Sequence, residues 1–256
     1  MFLEDWYAMN TFPFKELKKI LLLPTLLVAL CWAIYGINYA FDLDLYQLGI
    51  SPRKVDGLIG ILVAPILHIE LNHILSNTLP LFVLSMMLFY FYKPIALSVF
   101  FWIYFISGIW LWVGGRNNDI IPFYHFGASI LIYGFSTFLF FSGVFRKHKQ
   151  LMVVSAIVVF LYGSLTWGIF PGEDSISWEG HLFGALSGIL VAYFYKKDGP
   201  QKVEYNWKDD DETDIDYMQT EELIQADTPI NEGEDIQNSN PFPINYVYHF
   251  KEKEKE

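Results

Sequence analysis

Residues 123–145 read FYHFGASILIYGFSTFLFFSGVF. The stretch holds no acidic residue, lysine or arginine. At the helical rise of 1.5 Å per residue it reaches about 35 Å, enough to cross a hydrocarbon core of about 30 Å. Its polar residues are mostly small, as in membrane helices that face other helices. Working outward, five further apolar runs follow the same reading: Ile20–Ala40, Leu71–Tyr92, Ile95–Val113, Leu151–Phe170 and His181–Tyr195. The first lies behind Glu4, Asp5, Lys15 and Lys18, too far in for a short cleaved signal. The expected fold is an all-α membrane protein, a bundle of six transmembrane helices.

The net charge of −11 and the mean hydropathy of +0.30 pull in opposite directions. Position resolves the conflict. Residues 198–256 carry 17 acidic and 5 basic side chains, and residues 1–197 carry 11 and 12. The chain divides into a nearly neutral apolar body, 1–197, and an acidic tail, 198–256. The tail, with Asp209-Asp210-Asp211-Glu212, buries too little apolar surface to order itself and is expected to be disordered. No basic surface for nucleic acid is present. The single cysteine, Cys31, excludes a disulfide scaffold.

Basic residues near span ends set orientation. One face receives Lys15, Lys18, Lys19, Lys93, Arg146, Lys147, Lys149, Lys196 and Lys197, and the other Arg53, Lys54 and Arg116. Both termini are therefore expected in the cytoplasm, and the protein in a plasma membrane of the bacterial inner-membrane kind. The first outer connection, about Phe41 to Glu70, is long. Its apolar run Gly57–Leu67 is too short to span and is interrupted by Pro65, so it reads as re-entrant or interfacial.

Ionisable and polar groups within the membrane are functional suspects. His68, His73, His125 and His181 all fall at the outer ends of spans. Ser129 is expected six residues into span four, about 9 Å down. His73 and Asn77, four residues apart, share a face of span two. A serine becomes a nucleophile where a histidine takes its proton, and preorganised donors stabilise the oxyanion. Ser129, His181, His73 and Asn77 form one such set for acyl transfer. Glu179 neighbours His181 but faces elsewhere on a helix, so the reading is a Ser–His dyad. Gly184 and Gly188 offer close contact with span four near Gly127, Ala128 and Ser129. Tyr133, one turn below Ser129, is placed to pack under the His181 imidazole. His125 reads as a rival base with its side chain turned away, hence interfacial or structural. His68 and His73 around Glu70 lack metal-site spacing, and neither a metal nor a cofactor is expected.

Together these residues resemble the rhomboid family of intramembrane serine proteases, over about residues 15–197. Three motifs and the long first outer loop carry the likeness. The motifs are His68 with His73-Ile74-Leu75-Ser76-Asn77, Gly127-Ala128-Ser129 with Tyr133-Gly134, and Gly180-His181-Leu182-Phe183-Gly184 with Gly188. The resemblance implies Ser129 as nucleophile and His181 as general base. It implies an oxyanion hole from His73, Asn77 and the Ser129 N–H; His68, beside that site, reads as its support through water. It further implies cleavage of other proteins' transmembrane segments near the outer face, so the partners are membrane-protein substrates and the lipid bilayer. Two departures stand out. Ile130 replaces the glycine that usually follows the serine, and its branched side chain is expected to hinder close approach of spans four and six. The Trp-Arg pair frequent in the first loop is missing; Ser51-Pro52-Arg53 stands in that loop instead. The loop Pro171–Trp178 reads as a mobile cap. The rival class is a catalytically inactive rhomboid-like protein that binds membrane helices for trafficking or quality control. A transporter or channel predicts midplane charges and half-to-half symmetry, which the chain lacks.

Overall fold

The computed structural model describes residues 14–118, 123–162, 167–171 and 177–201. The chain divides into two units, Met1–Glu204 and Tyr205–Glu256, and every described residue lies in the first. The acidic tail beyond residue 201 and most of the expected cap (172–176) fall outside the described residues.

Among those residues the architecture is helical, with one isolated antiparallel bridge between Ile50 and His125. Six main helices follow one another: α1 (Phe14–Phe41), α2 (Leu71–Phe91), α3 (Ala96–Gly114), α4 (Ser129–Arg146), α5 (Lys149–Tyr162) and α6 (Trp178–Phe194). Four contain stretches long and apolar enough to cross a bilayer: Leu17–Phe41, Leu71–Phe91, Ala96–Gly114 and Ser129–Arg146. α5 and α6, with 14 and 17 residues, are shorter. Leu22, Leu26 and Leu30 project outward from α1, and Phe101, Trp102 and Phe105 from α3. In water such belts would be costly; in lipid they are the solvent-facing side. This apolar helical bundle fits an integral membrane protein.

α4 is the central helix. Ile130, Leu131, Ile132, Phe135, Phe138 and Leu139 are buried on several of its sides, against α2, α3, α5 and α6. Its contact with α6 is the most extensive, because glycine removes the side-chain layer. A Cβ on Gly184 would collide with the Ile130 carbonyl oxygen, and one on Gly188 with that of Gly134. The small-residue face of α6 therefore meets α4 at Ile130, directly after Ser129 and beside the stretch the spacing indicated, and again one turn further in at Gly134. The expected hindrance by Ile130 is absent. Its backbone, not its side chain, faces Gly184.

The first connection is sewn to α3. It forms short helical turns over Asp56–Ile66. The Trp112 indole donates to the Lys54 carbonyl at 2.9 Å, Tyr104 donates to the Leu62 carbonyl at 2.5 Å, and the Arg53 guanidinium donates to the Gly115 carbonyl at 2.7 Å. At the far end of the bundle Arg146, 7% exposed, donates to Ser142 and to the Tyr195 and Asp198 carbonyls, with the Tyr92 ring beneath it. A guanidinium at the carbonyl end of α6 satisfies oxygens the helix leaves unpaired.

Candidate active site

Ser129 is the first residue of α4, not a residue two turns inside it. The six residues before it run without regular helix and carry the chain down to it. His125 and Ile50 exchange backbone hydrogen bonds at 2.9 Å each, and the Gly127 N–H donates to the Ala64 carbonyl at 2.9 Å. Gly127 has φ = 110°, a conformation open to glycine and strained for other residues. Its missing side chain is also required: a Cβ would stand 2.7 Å from the His73 ring and 3.8 Å from the Asn77 amide nitrogen. His73 and Asn77 thus flank the backbone two residues before Ser129. As the first helical residue, Ser129 has an N–H with no carbonyl four residues back to receive it. The positive end of the α4 dipole lies at the same point. The helical reading of residues 123–128 hid this, because an apolar sequence carries no mark of where an extended segment becomes helix.

His68 supports Asn77 directly. Its Nε2 lies 3.1 Å from Asn77 Nδ2 and 3.4 Å from the Ala128 N. Both partners donate, so Nε2 is the acceptor and the proton sits on Nδ1. One amide N–H of Asn77 is thereby held and the second stays available. Burial pushes the His68 imidazole down to about 4 from 6.5, with His73 adding to the effect and the Ile66 carbonyl opposing it. The ring stays neutral in the folded protein to about pH 4, whereas the unfolded chain takes up the proton near 6.5. Stability from this group is full above about 6.5 and falls as the pH drops to about 4. The total is on the order of 3 kcal/mol. Thermal unfolding of detergent-solubilised protein across that window should show a shallower pH dependence in His68→Gln than in the wild type.

His181 sits in the first turn of α6. Its Nδ1 lies 2.9 Å from the Gly168 carbonyl, which can only accept. Nδ1 therefore carries the proton and Nε2 presents a lone pair. The Tyr133 ring stacks under the imidazole, with centroids 4.2 Å apart and planes at 10°. Tyr133 is one turn from Ser129 on α4, so the stack registers α6 against the serine's helix. Tyr133→Phe keeps the ring. Tyr133→Ala loses a contact of about 0.5–1.5 kcal/mol and should slow a His181-dependent rate up to about tenfold. Single-turnover measurement of both variants checks this. Gly168 had no readable signal, since any residue offers a carbonyl.

Glu179 is 3% exposed and pairs with Arg116. Its Oε1 lies 3.3 Å from the Arg116 Nε and 3.3 Å from the Arg116 N. His125 does not share a helix with Ser129. Its ring contacts Ser177 and the Arg116 carbonyl. Ser129, Gly127, Ile130, His125, Ser177 and Gly180 line one cleft at the head of α4 and α6. Among the described residues no cluster of metal-ligating side chains occurs.

A helical, apolar bundle with polar side chains gathered toward one end fits an integral membrane protein. The Rhomboid domain family matches residues 56–198, more than half of the sequence, and the chain belongs to the rhomboid family. It is similar to the uncharacterized protein Rv1337 of Mycobacterium tuberculosis, with 36% identity over 174 residues, 65% of this chain and 71% of that protein. It is also similar to the uncharacterized protein ML1171 of Mycobacterium leprae, with 36% identity over 171 residues, 65% of this chain and 67% of that protein.

Proposed function

We propose that the protein is an intramembrane serine endopeptidase that cuts transmembrane segments of other membrane proteins near the outer face. Ser129 is the nucleophile and His181 the general base. The observation that supports this best is the held tautomer of His181: Nδ1 bonded to Gly168, the ring stacked on Tyr133, and Nε2 left with a lone pair. The Ser129 proton passes to Nε2 as Oγ attacks the peptide carbonyl. The oxyanion is met by the Ser129 N–H, the free amide N–H of Asn77 and the His73 ring, at the positive end of α4. His181 returns the proton to the leaving nitrogen and an acyl-enzyme remains. Water from the outer side hydrolyses it, and His181 takes and returns a second proton.

The same reading gives six spans with both termini cytoplasmic, following the nine-to-three division of basic residues. Substrate helices enter between α2 and α5, and unwinding exposes the bond to be cut. Helix-weakening residues in the substrate assist. A fluorophosphonate probe tests the nucleophile. Labelling of the membrane-embedded wild type that disappears in Ser129→Ala supports the assignment; no labelling of the wild type rejects it. One observation favours the non-catalytic reading. Ile130, where the family usually has glycine, lines the cleft beside Ser129. Under that reading the probe labels nothing while membrane-helix binding persists.

A further inference from the structure

The site contains a second Ser–His contact, formed with the order reversed. His125 lies four residues before Ser129, and Ser177 lies four residues before His181. His125 Nδ1 and Ser177 Oγ are 2.7 Å apart. His125 Nε2 lies 3.0 Å from the Arg116 carbonyl, which can only accept. Nε2 therefore holds the ring proton, Nδ1 is the acceptor, and the Ser177 hydroxyl donates to it. The same Ser177 oxygen accepts the Gly180 N–H at 3.2 Å and so caps α6. The Ser177 carbonyl accepts the His181 N–H at 3.2 Å. On the other side, the His125 backbone is paired to Ile50 through both its N–H and its carbonyl.

The consequence is mechanical. The segment that delivers Ser129 and the turn that delivers His181 arrive on different helices, separated by 52 residues of sequence. Among the described residues, the His125–Ser177 bond joins them beside the cleft, and its ring is 4% exposed. Burial lowers the His125 imidazole from its ordinary range, the Arg116 carbonyl and Glu179 oppose this, and the Arg116 cation adds to it. The acceptor form is thus the one present at neutral pH.

We infer that His125 and Ser177 are positioning residues that set the register of the two segments carrying Ser129 and His181. This rests on the dyad proposed above, and it adds a requirement on residues that touch no substrate. Losing the bond leaves the half-buried Ser177 hydroxyl without its acceptor and loosens the two segments above the α4–α6 contact. The expected loss is in the rate of proton transfer, not in probe binding.

The test is the labelling kinetics of the full-length protein in detergent with a fluorophosphonate, resolved into the saturating rate and the half-saturating concentration. His125→Leu should lower the saturating rate about 10- to 30-fold and leave the half-saturating concentration within about twofold. His125→Asn places an amide oxygen near the Nδ1 position and should recover the rate to within about threefold of wild type. Ser177→Asp keeps an acceptor for the Gly180 N–H but has no hydrogen for His125. It should keep the melting temperature and still slow labelling about tenfold. Unchanged rates in His125→Leu and Ser177→Asp, beside a labelled wild type, overturn this inference and leave the dyad standing. So do rates that track melting temperature in every variant, His125→Asn included. A wild type that does not label at Ser129 overturns both.

Discussion

Ser129→Ala and His181→Ala are each expected to reduce cleavage of a tagged single-span substrate by about 10⁴-fold or more. The double variant should be no worse than either single one. The reason is that nucleophile and base act as a unit. Without Nε2 to accept the proton, the serine hydroxyl is a weak nucleophile at neutral pH. Without Oγ, a well-held imidazole has nothing to activate. The residue of rate left in both variants comes from the oxyanion donors, which neither change touches. Co-expression in membranes, with immunoblotting of the cleaved fragment, measures it. Undiminished cleavage in either single variant rejects the dyad. Additive losses in the double variant would mean that the two residues serve separate steps.

Gly184→Val carries the largest expected effect on folding. A Cβ at residue 184 falls on the Ile130 carbonyl oxygen, which is backbone and cannot rotate away. α6 must move off α4, and overpacking of this kind costs about 3 kcal/mol or more. Because Ile130 adjoins Ser129 and His181 lies one turn above Gly184, the same displacement separates the two reactive groups. Folded yield and fluorophosphonate labelling should both collapse. Gly36→Ala is the matched control. Gly36 lies in α1 with no heavy atom within 4 Å of its would-be Cβ. There the exchange should be neutral or stabilise by up to about 1 kcal/mol, because alanine restricts the unfolded chain and favours helix. Melting temperatures of the two purified variants decide it. Equal tolerance at both positions would reject glycine-mediated packing as the basis of the α4–α6 contact.

Much of this arrangement is readable before any coordinates. The apolar runs locate all six main helices and place both ends of α2, α3 and α6 to within about three residues, since hydrophobic length is imposed by the bilayer and leaves a direct trace in composition. Residue types and spacings select Ser129, His181, His73 and Asn77, because acyl-transfer chemistry restricts which side chains serve. Two features were misplaced for one reason. Residues 123–128 read as helix and form irregular chain with a single bridge at His125, because an apolar run can take either form and period alone does not separate them. That error moved Ser129 into a helix interior and moved His125 onto its helix.

By itself the sequence determined the class: an apolar helical body, an acidic tail that carries the whole-chain charge, and the serine and histidine of the proposed dyad on separate helices. Only the tertiary structure decided how these are aimed. It puts Ser129 at the positive end of α4, fixes the His181 tautomer through a carbonyl at Gly168, and pairs Glu179 with Arg116. It also ties His125 to Ser177 across the cleft. Each of these depends on backbone atoms or on contacts between distant segments. A carbonyl, a helix start and a left-handed glycine have no residue type of their own, so their positions exist only once the chain is folded.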